Sequence, residues 1–311
     1  MPAPSSVHID AALTGYVQRS GQFGLVAEQI APAFPVKFAS DKYYIFGDEH
    51  LRHGDVQARA ARARSGEGRW STSTGTYAAR EYPFKTPVEQ DTIDNADPQI
   101  DPMAQAAAYV KSVVNLAWEA RLQVAATTSA NFGTVNAAGA SWTALNTTTI
   151  ESDIDTAKEG IEVKSGFAAT HIVIPAATAR GMKRVTAIRE LVKYTDPTLL
   201  VNGDLPPTLF GLKVVIPGAR ANSANEGQTA SIARLWPASG GVQVLYVDPT
   251  AGNQERMTWA STFRWTGFGA GGEGVRTWFV DDGRFWYVEY ATYQDEKVVA
   301  TSCGARITGT A

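Results

Sequence analysis

One stretch constrains the fold of this chain more than any other: Asp101 to Thr128, DPMAQAAAYVKSVVNLAWEARLQVAATT. Asp101 suits the N-cap, where its carboxylate accepts from the free amides of a first turn. Pro102 suits the first helical position, where no N–H is needed. Behind them Met103, Ala106, Val110, Val113, Ala117, Ala120 and Val124 recur at steps of three and four, the spacing of one helix face. No glycine or internal proline interrupts the run. At 1.5 Å per residue it predicts a helix of about 40 Å, well beyond the usual three turns. The stripe is narrow and built of small side chains, so neighbouring elements are expected to pack close, with Lys111 on the opposite, polar face. The expectation is a long strut, although an ordinary buried helix would carry the same stripe.

The 311 residues suffice for two modest domains or one elaborated domain. A net charge of −3 gives no bulk electrostatic drive toward nucleic acid or an anionic membrane. The single cysteine, Cys303, excludes an intramolecular disulfide and fits a reducing compartment. MPAPSSVHID lacks the basic-then-apolar order of a signal peptide, and no apolar run reaches membrane-spanning length. A cytoplasmic product is expected.

Residues 1–40, broken by Pro2, Pro4, Pro32 and Pro35, read as an extended arm that buries side chains against something else. KYYIFG and TYAAREYPF are strand-like and flank a long polar middle carrying Arg52, Arg59, Arg62, Arg64 and Arg69, a pattern that predicts a projecting hairpin or loop. Only Trp70 and Tyr77 supply stacking aromatics there, which weakens a nucleic-acid reading of the arginines. An acidic run with Asp91, Asp94 and Asp97 follows, so the opposite charges of the two segments suit pairing between copies: Arg59, Arg62 and Arg64 of one with Asp91, Asp94 and Asp97 of another. After the long helix come a helix capped by Ser152 or Asp153 and ended at Gly166, a strand at HIVIP, helical ATARGMKRVTAIRELVKY, and strands at TLFGLKVVIPGA, SIARLWP and VQVLYVDP. Asp281-Asp282-Gly283 between VRTWFV and RFWYVEY is a hairpin signal. The order makes an α+β chain.

The residues give little chemistry. Gly269, Gly271 and Gly274 spell GxGxxG, but a strand follows where a dinucleotide site needs a helix. His50 and His53 match no closed zinc spacing. His171 and Cys303 read as core residues, and no P-loop, nucleophile elbow or HExxH is present. No catalytic residue, cofactor or metal is assigned. An enzyme using Cys303 or His171, or a tail-tube or adhesin subunit, are weaker readings; the latter leaves the long helix unexplained.

The order of parts is familiar. YVQRSGQFGLVAEQIAPAFPVKFASDKYYIFGDEHLR, NADPQIDPMAQAAAYVKSVVNLAWEARLQ, IDTAKEGIEVKSGFAATHIVIPAATARGMKR and GLKVVIPGARANSA with IARLWPASGGVQVLYVDP resemble, in sequence order, the major capsid protein of tailed bacteriophages. The resemblance spans nearly the whole chain. It implies the Hong Kong 97-type capsid fold, divided as N-terminal arm 1–40, extended loop 41–88, peripheral domain 89–150 with spine helix 101–128, axial domain 151–275, and a return hairpin with the C-terminal end at 276–311. It further implies a virion protein, assembled in the host cytoplasm into hexamers and pentamers of an icosahedral shell around double-stranded DNA, without sequence-specific binding and without a membrane. Scaffolding protein, portal and possible decoration proteins would be its partners; because the sequence starts at the arm, a separate scaffolding protein or a trimmed precursor is expected. An encapsulin-type nanocompartment shell shares the fold and is the alternative.

Overall fold

A computed structural model describes residues 13, 24–45, 56, 58, 64–65, 73–96, 101–195, 205–225, 227–248, 250 and 257–311. A short helix α1 (Ala27–Ile30) leads into β1 (Ala33–Val36). Strands β2 (Ser40–Ile45) and β3 (Ser73–Ala78) pair antiparallel, and β4 (Arg80–Glu89) follows, then α2 (Gln90–Asp94). Helix α3 runs from Pro102 to Thr127, 26 residues, as the spacing predicts. Asp101 Oδ1 accepts from the amides of Met103 and Ala104 at 2.9 and 3.1 Å. At the other end no glycine is used. Instead the side chains of Thr127, Thr128 and Asn131 donate to the carbonyls of Gln123, Val124 and Ala125, satisfying groups the last turn leaves open.

Beyond the spine lie β5 (Thr134–Ala137), α4 (Ile150–Ser165), β6 (His171–Val173), α5 (Ala176–Met182), α6 (Thr186–Thr195), β7 (Thr208–Leu209), β8 (Leu212–Val215), β9 (Arg220–Asn222), β10 (Ile232–Arg234), β11 (Val242–Leu245), β12 (Ala260–Trp265), β13 (Glu273–Val280), β14 (Phe285–Val298) and β15 (Gly304–Thr308). Helix α4 starts three residues earlier than the expected cap: Thr149 occupies the N-cap position, and Asp153 is drawn away to the Gly139 amide and the Trp142 indole. Its C-terminus is as predicted, Gly166 sitting at φ 74°, where a side chain would be strained. Two sheets organise the chain. One has order β5-β15-β11-β6-β8-β7; in the other, β14 is the central strand, flanked by β4 on one side and by β12 and β13 on the other, with β1 parallel to β12 at the edge. The predicted hairpin is β13–β14, with Val280 opposite Phe285.

The sheets draw strands from distant parts of the sequence. Strands β5 and β15, from outside 151–275, complete the six-stranded sheet, while β12, from inside it, lies in the other. Strand β4 pairs with β14 from Arg80 to Glu89. Each exchange pairs strands far apart in sequence, which no local pattern encodes.

Helix α3 spans both sheets. Its first half packs Ala107, Val110 and Val114 on Val88, Val275, Val288 and Tyr290; its second half places Trp118, Leu122 and Ala126 with Val173, Val215, Leu245 and Trp259 under the six-stranded sheet. A strut is the right description. Its rotational phase is not the expected one. The buried seam is Ala104, Ala107, Val110, Lys111, Val114, Trp118, Glu119, Leu122 and Ala126. Of the seven stripe residues only Val110 is buried; Met103, Ala106, Val113 and Ala120 are half-buried, and Ala117 and Val124 are exposed. Two charged side chains, Lys111 and Glu119, face inward; placing Lys111 on the polar face puts the helix in the wrong rotation.

Candidate functional site

Of the residues weighed for chemistry, His171, Cys303 and the glycines at 269, 271 and 274 lie among the described residues. His171 lies half-buried on β6, its Nδ1 2.8 Å from the Thr170 hydroxyl, and burial, reinforced by Lys213, pulls its pKa down. Cys303 is fully buried, and desolvation pushes its thiol up to about 11. Gly269 caps a 3₁₀ turn (Ala270–Gly272) that contains Gly271, and Gly274 lies in β13, which follows it. His50 and His53 lie outside the described residues, and among the described residues no three His, Cys, Asp or Glu side chains group as metal ligands.

The surfaces that leave or cross the body are where the construction is unusual. Residues 24–36 bury Val26, Ala27, Ile30 and Ala31 against the chain's own core, so this part of the expected arm needs no partner to be covered. Glu119, fully buried on α3, fastens it. Its Oε2 accepts from the amides of Val26 and Ala27 at 2.9 and 2.7 Å, and its Oε1 from the Trp236 indole at 2.7 Å. Burial pushes the Glu119 carboxyl above its usual range, against the pull of these three donors. Just before the clasp, the Gly24 carbonyl accepts from the Gly218 amide at 2.9 Å, and a Cβ on Gly24 would meet the Gly218 backbone at 2.9 Å. Two glycines allow that crossing.

The β2–β3 hairpin is rooted by aromatics. Tyr77 and Tyr43 stack on Phe263 of β12 with centroids 4.6 and 5.6 Å apart, the Tyr77 hydroxyl donates to Phe38 O, and Asp295 of β14 accepts from the Ala78 amide at 2.9 Å. Tyr77 is therefore part of the root, not a free stacking platform. Trp70, Arg59, Arg62 and Asp97 lie outside the described residues. Arg64 is exposed; Asp91 and Asp94 are exposed on α2, and Asp94 accepts from Gln90 of its own helix. No ion pair joins Arg64 to either acid within the chain.

Between spine and sheet runs a polar ladder that the sequence did not signal. Arg121 forks onto Glu296 at 2.7–3.2 Å and lies over the Tyr82 ring; Gln294 bridges Glu296 to Arg264; Arg264 lies 3.5 Å from Glu273, which accepts from the Tyr290 hydroxyl at 2.6 Å. Lys111 faces Glu273, Arg264 and Glu28, and burial lowers its pKa. Members come from α3, β12, β13 and β14, and only their spatial pairing reveals them. The ladder can orient the spine on the sheet.

No protein-family model matches the chain, nor does any curated protein sequence. Solved structures do. A phage-related protein of Bordetella bronchiseptica superposes with TM-score 0.72 at 18% identity over 98% of both chains. The capsid structure of cyanophage P-SCSP1u gives 0.57 at 10% identity over 89% of this chain and 86% of that one. The SrpI encapsulin complex from Synechococcus elongatus gives 0.55 at 10% identity, over 94% and 89%. On these superpositions the chain has the Hong Kong 97-type fold of tailed-phage major capsid proteins.

Proposed function

We propose that this chain is a structural shell subunit, the major capsid protein of a tailed-phage head that encloses double-stranded DNA. The observation that carries the reading is the end-to-end match to a phage-related protein, 98% of each chain at TM-score 0.72. A hairpin rooted on one sheet and a spine that ties two sheets into one unit suit a subunit whose work is contact with its own copies. In this reading the chain divides into arm, extended loop, peripheral and axial regions, with scaffolding protein, portal and decoration proteins as further partners and the virion as its place. A net charge of −3 disfavours adhesion of packaged DNA to the wall. The arginines Arg59, Arg62 and Arg64 pair, in this reading, with Asp91, Asp94 and Asp97 of a neighbouring copy. The encapsulin match favours a second reading, a nanocompartment shell without a genome.

Expression of the full chain, with its neighbouring scaffold gene supplied, followed by electron microscopy is the test. Closed shells or capsomers are expected, and a monomer at tens of micromolar (about) would overturn the reading. Nuclease-resistant DNA in particles purified from infected or induced cells separates a head from a nanocompartment, which would hold protein cargo instead.

A further inference from the structure

The β9–β10 hairpin is a two-stranded ladder, and an isolated pair of strands is at best marginally stable. All of β10 is exposed, including Ile232 at 65%. Its register sets Arg234 directly opposite Arg220, two like charges on one face with Cα atoms about 5 Å apart. Neither guanidinium has an acidic partner among the described residues. Such a pair is unfavourable in the lone chain.

Helix α4 has the opposite defect. Its outer face carries Asp155, Glu159 and Glu162, all exposed, at spacings of four and three that put like charges side by side. Lys158 answers Asp155 only, at 3.7 Å, and also donates to Phe210 O. Val163 stands beside these acids, 71% exposed. The two surfaces thus match in kind: two arginines and an isoleucine against three acids and a valine. Residues three and four apart on a helix have Cβ atoms about 5–6 Å apart, close to the Cα separation of the paired arginines.

We infer that the β9–β10 hairpin docks on the acidic face of α4 of a second copy of this chain, Arg220 and Arg234 entering between Asp155, Glu159 and Glu162 while Ile232 covers Val163. The patches are different surfaces of one subunit, so the contact is head-to-tail and propagates around a ring. It relieves like-charge repulsion on both partners and covers two apolar side chains. This rests on the shell reading and names one of its contacts.

The test mixes two full-length single-site variants, Arg234→Cys and Glu159→Cys, under mild oxidation; native Cys303 is buried and does not compete. A covalent heterodimer exceeding either homodimer by about tenfold is expected, a preference worth one decade of equilibrium constant. Absence of that excess overturns the contact whether or not the protein assembles. In parallel, Arg220→Glu with Arg234→Glu is expected to cut the assembled fraction, Asp155→Arg with Glu159→Arg to do the same, and the four changes together to restore it. Restoration excludes misfolding as the cause, and an arginine double variant that assembles like the unchanged chain overturns the inference. Failure of the shell reading looks different: the unchanged chain itself would sediment as a monomer.

Discussion

The Glu119 carboxylate accepts a hydrogen bond from the Trp236 indole at 2.7 Å across 117 residues of sequence, with neither side chain open to water. The same carboxylate holds the first amides of α1, so three distant segments meet at one buried acid. Every partner it has is a donor. An acid is the only common side chain of this size able to accept from all three without offering a proton of its own.

Glu119→Gln is therefore expected to destabilise the subunit, although size and shape are kept. The amide nitrogen must face a donor, and one buried N–H is left unpaired at a cost of about 1–3 kcal/mol. Hydrogen exchange at the Val26 and Ala27 amides is the sensitive readout, and both should exchange faster in the variant. Unchanged protection there would mean that the arm is held by its apolar contacts alone.

The direction of the Glu119 shift sets a pH dependence. Its folded pKa lies above the usual 4.5, with burial the largest cause and the bonds from Val26, Trp236 and Ala27 opposing it. The folded state thus binds this proton more tightly than the unfolded chain does. The associated stability is full below the usual carboxylate value and is lost as pH rises through the folded value. Wild type should gain on Glu119→Gln as pH is lowered from neutral toward that range. Denaturant titrations giving a constant difference between the two would contradict the assignment.

The phase of the spine gives a steric prediction. Ala107 is fully buried against the β4–β14–β13 sheet and Ala117 faces outward. Ala107→Leu should cost about 1–3 kcal/mol through overpacking. Ala117→Leu should leave the subunit within about 0.5 kcal/mol of wild type. Thermal unfolding of subunits held below the assembly concentration distinguishes them, and equal losses would place both on one face.

Cys303 offers a chemical check on the core. With the thiol pushed up to about 11 and no exposed surface, it should react with an aromatic disulfide reagent at pH 8 only after unfolding. Stoichiometric reaction of the native protein within seconds would show that the β11–β15 region opens readily.

Local chemistry determined a good part of this protein from its sequence. Asp101 and Pro102 start the spine, Gly166 ends α4, and Asp281-Asp282-Gly283 turns β13 into β14, because each of these signals is satisfied by atoms a few residues away. The family resemblance likewise survives because the order of elements is itself a sequence property. Tertiary structure decided the rest. Which face of the spine is inside depends on Glu119 finding donors 92, 93 and 117 residues away, and on Lys111 facing Glu273. Without those partners both residues belong in water, and the pattern of apolar side chains alone turns the helix the wrong way. The same holds for β5, β15 and β12, whose sheets are chosen by hydrogen bonding to strands remote in sequence. A charge or a strand edge has no fixed place until its partner is in position, and that partner is supplied only by the folded chain.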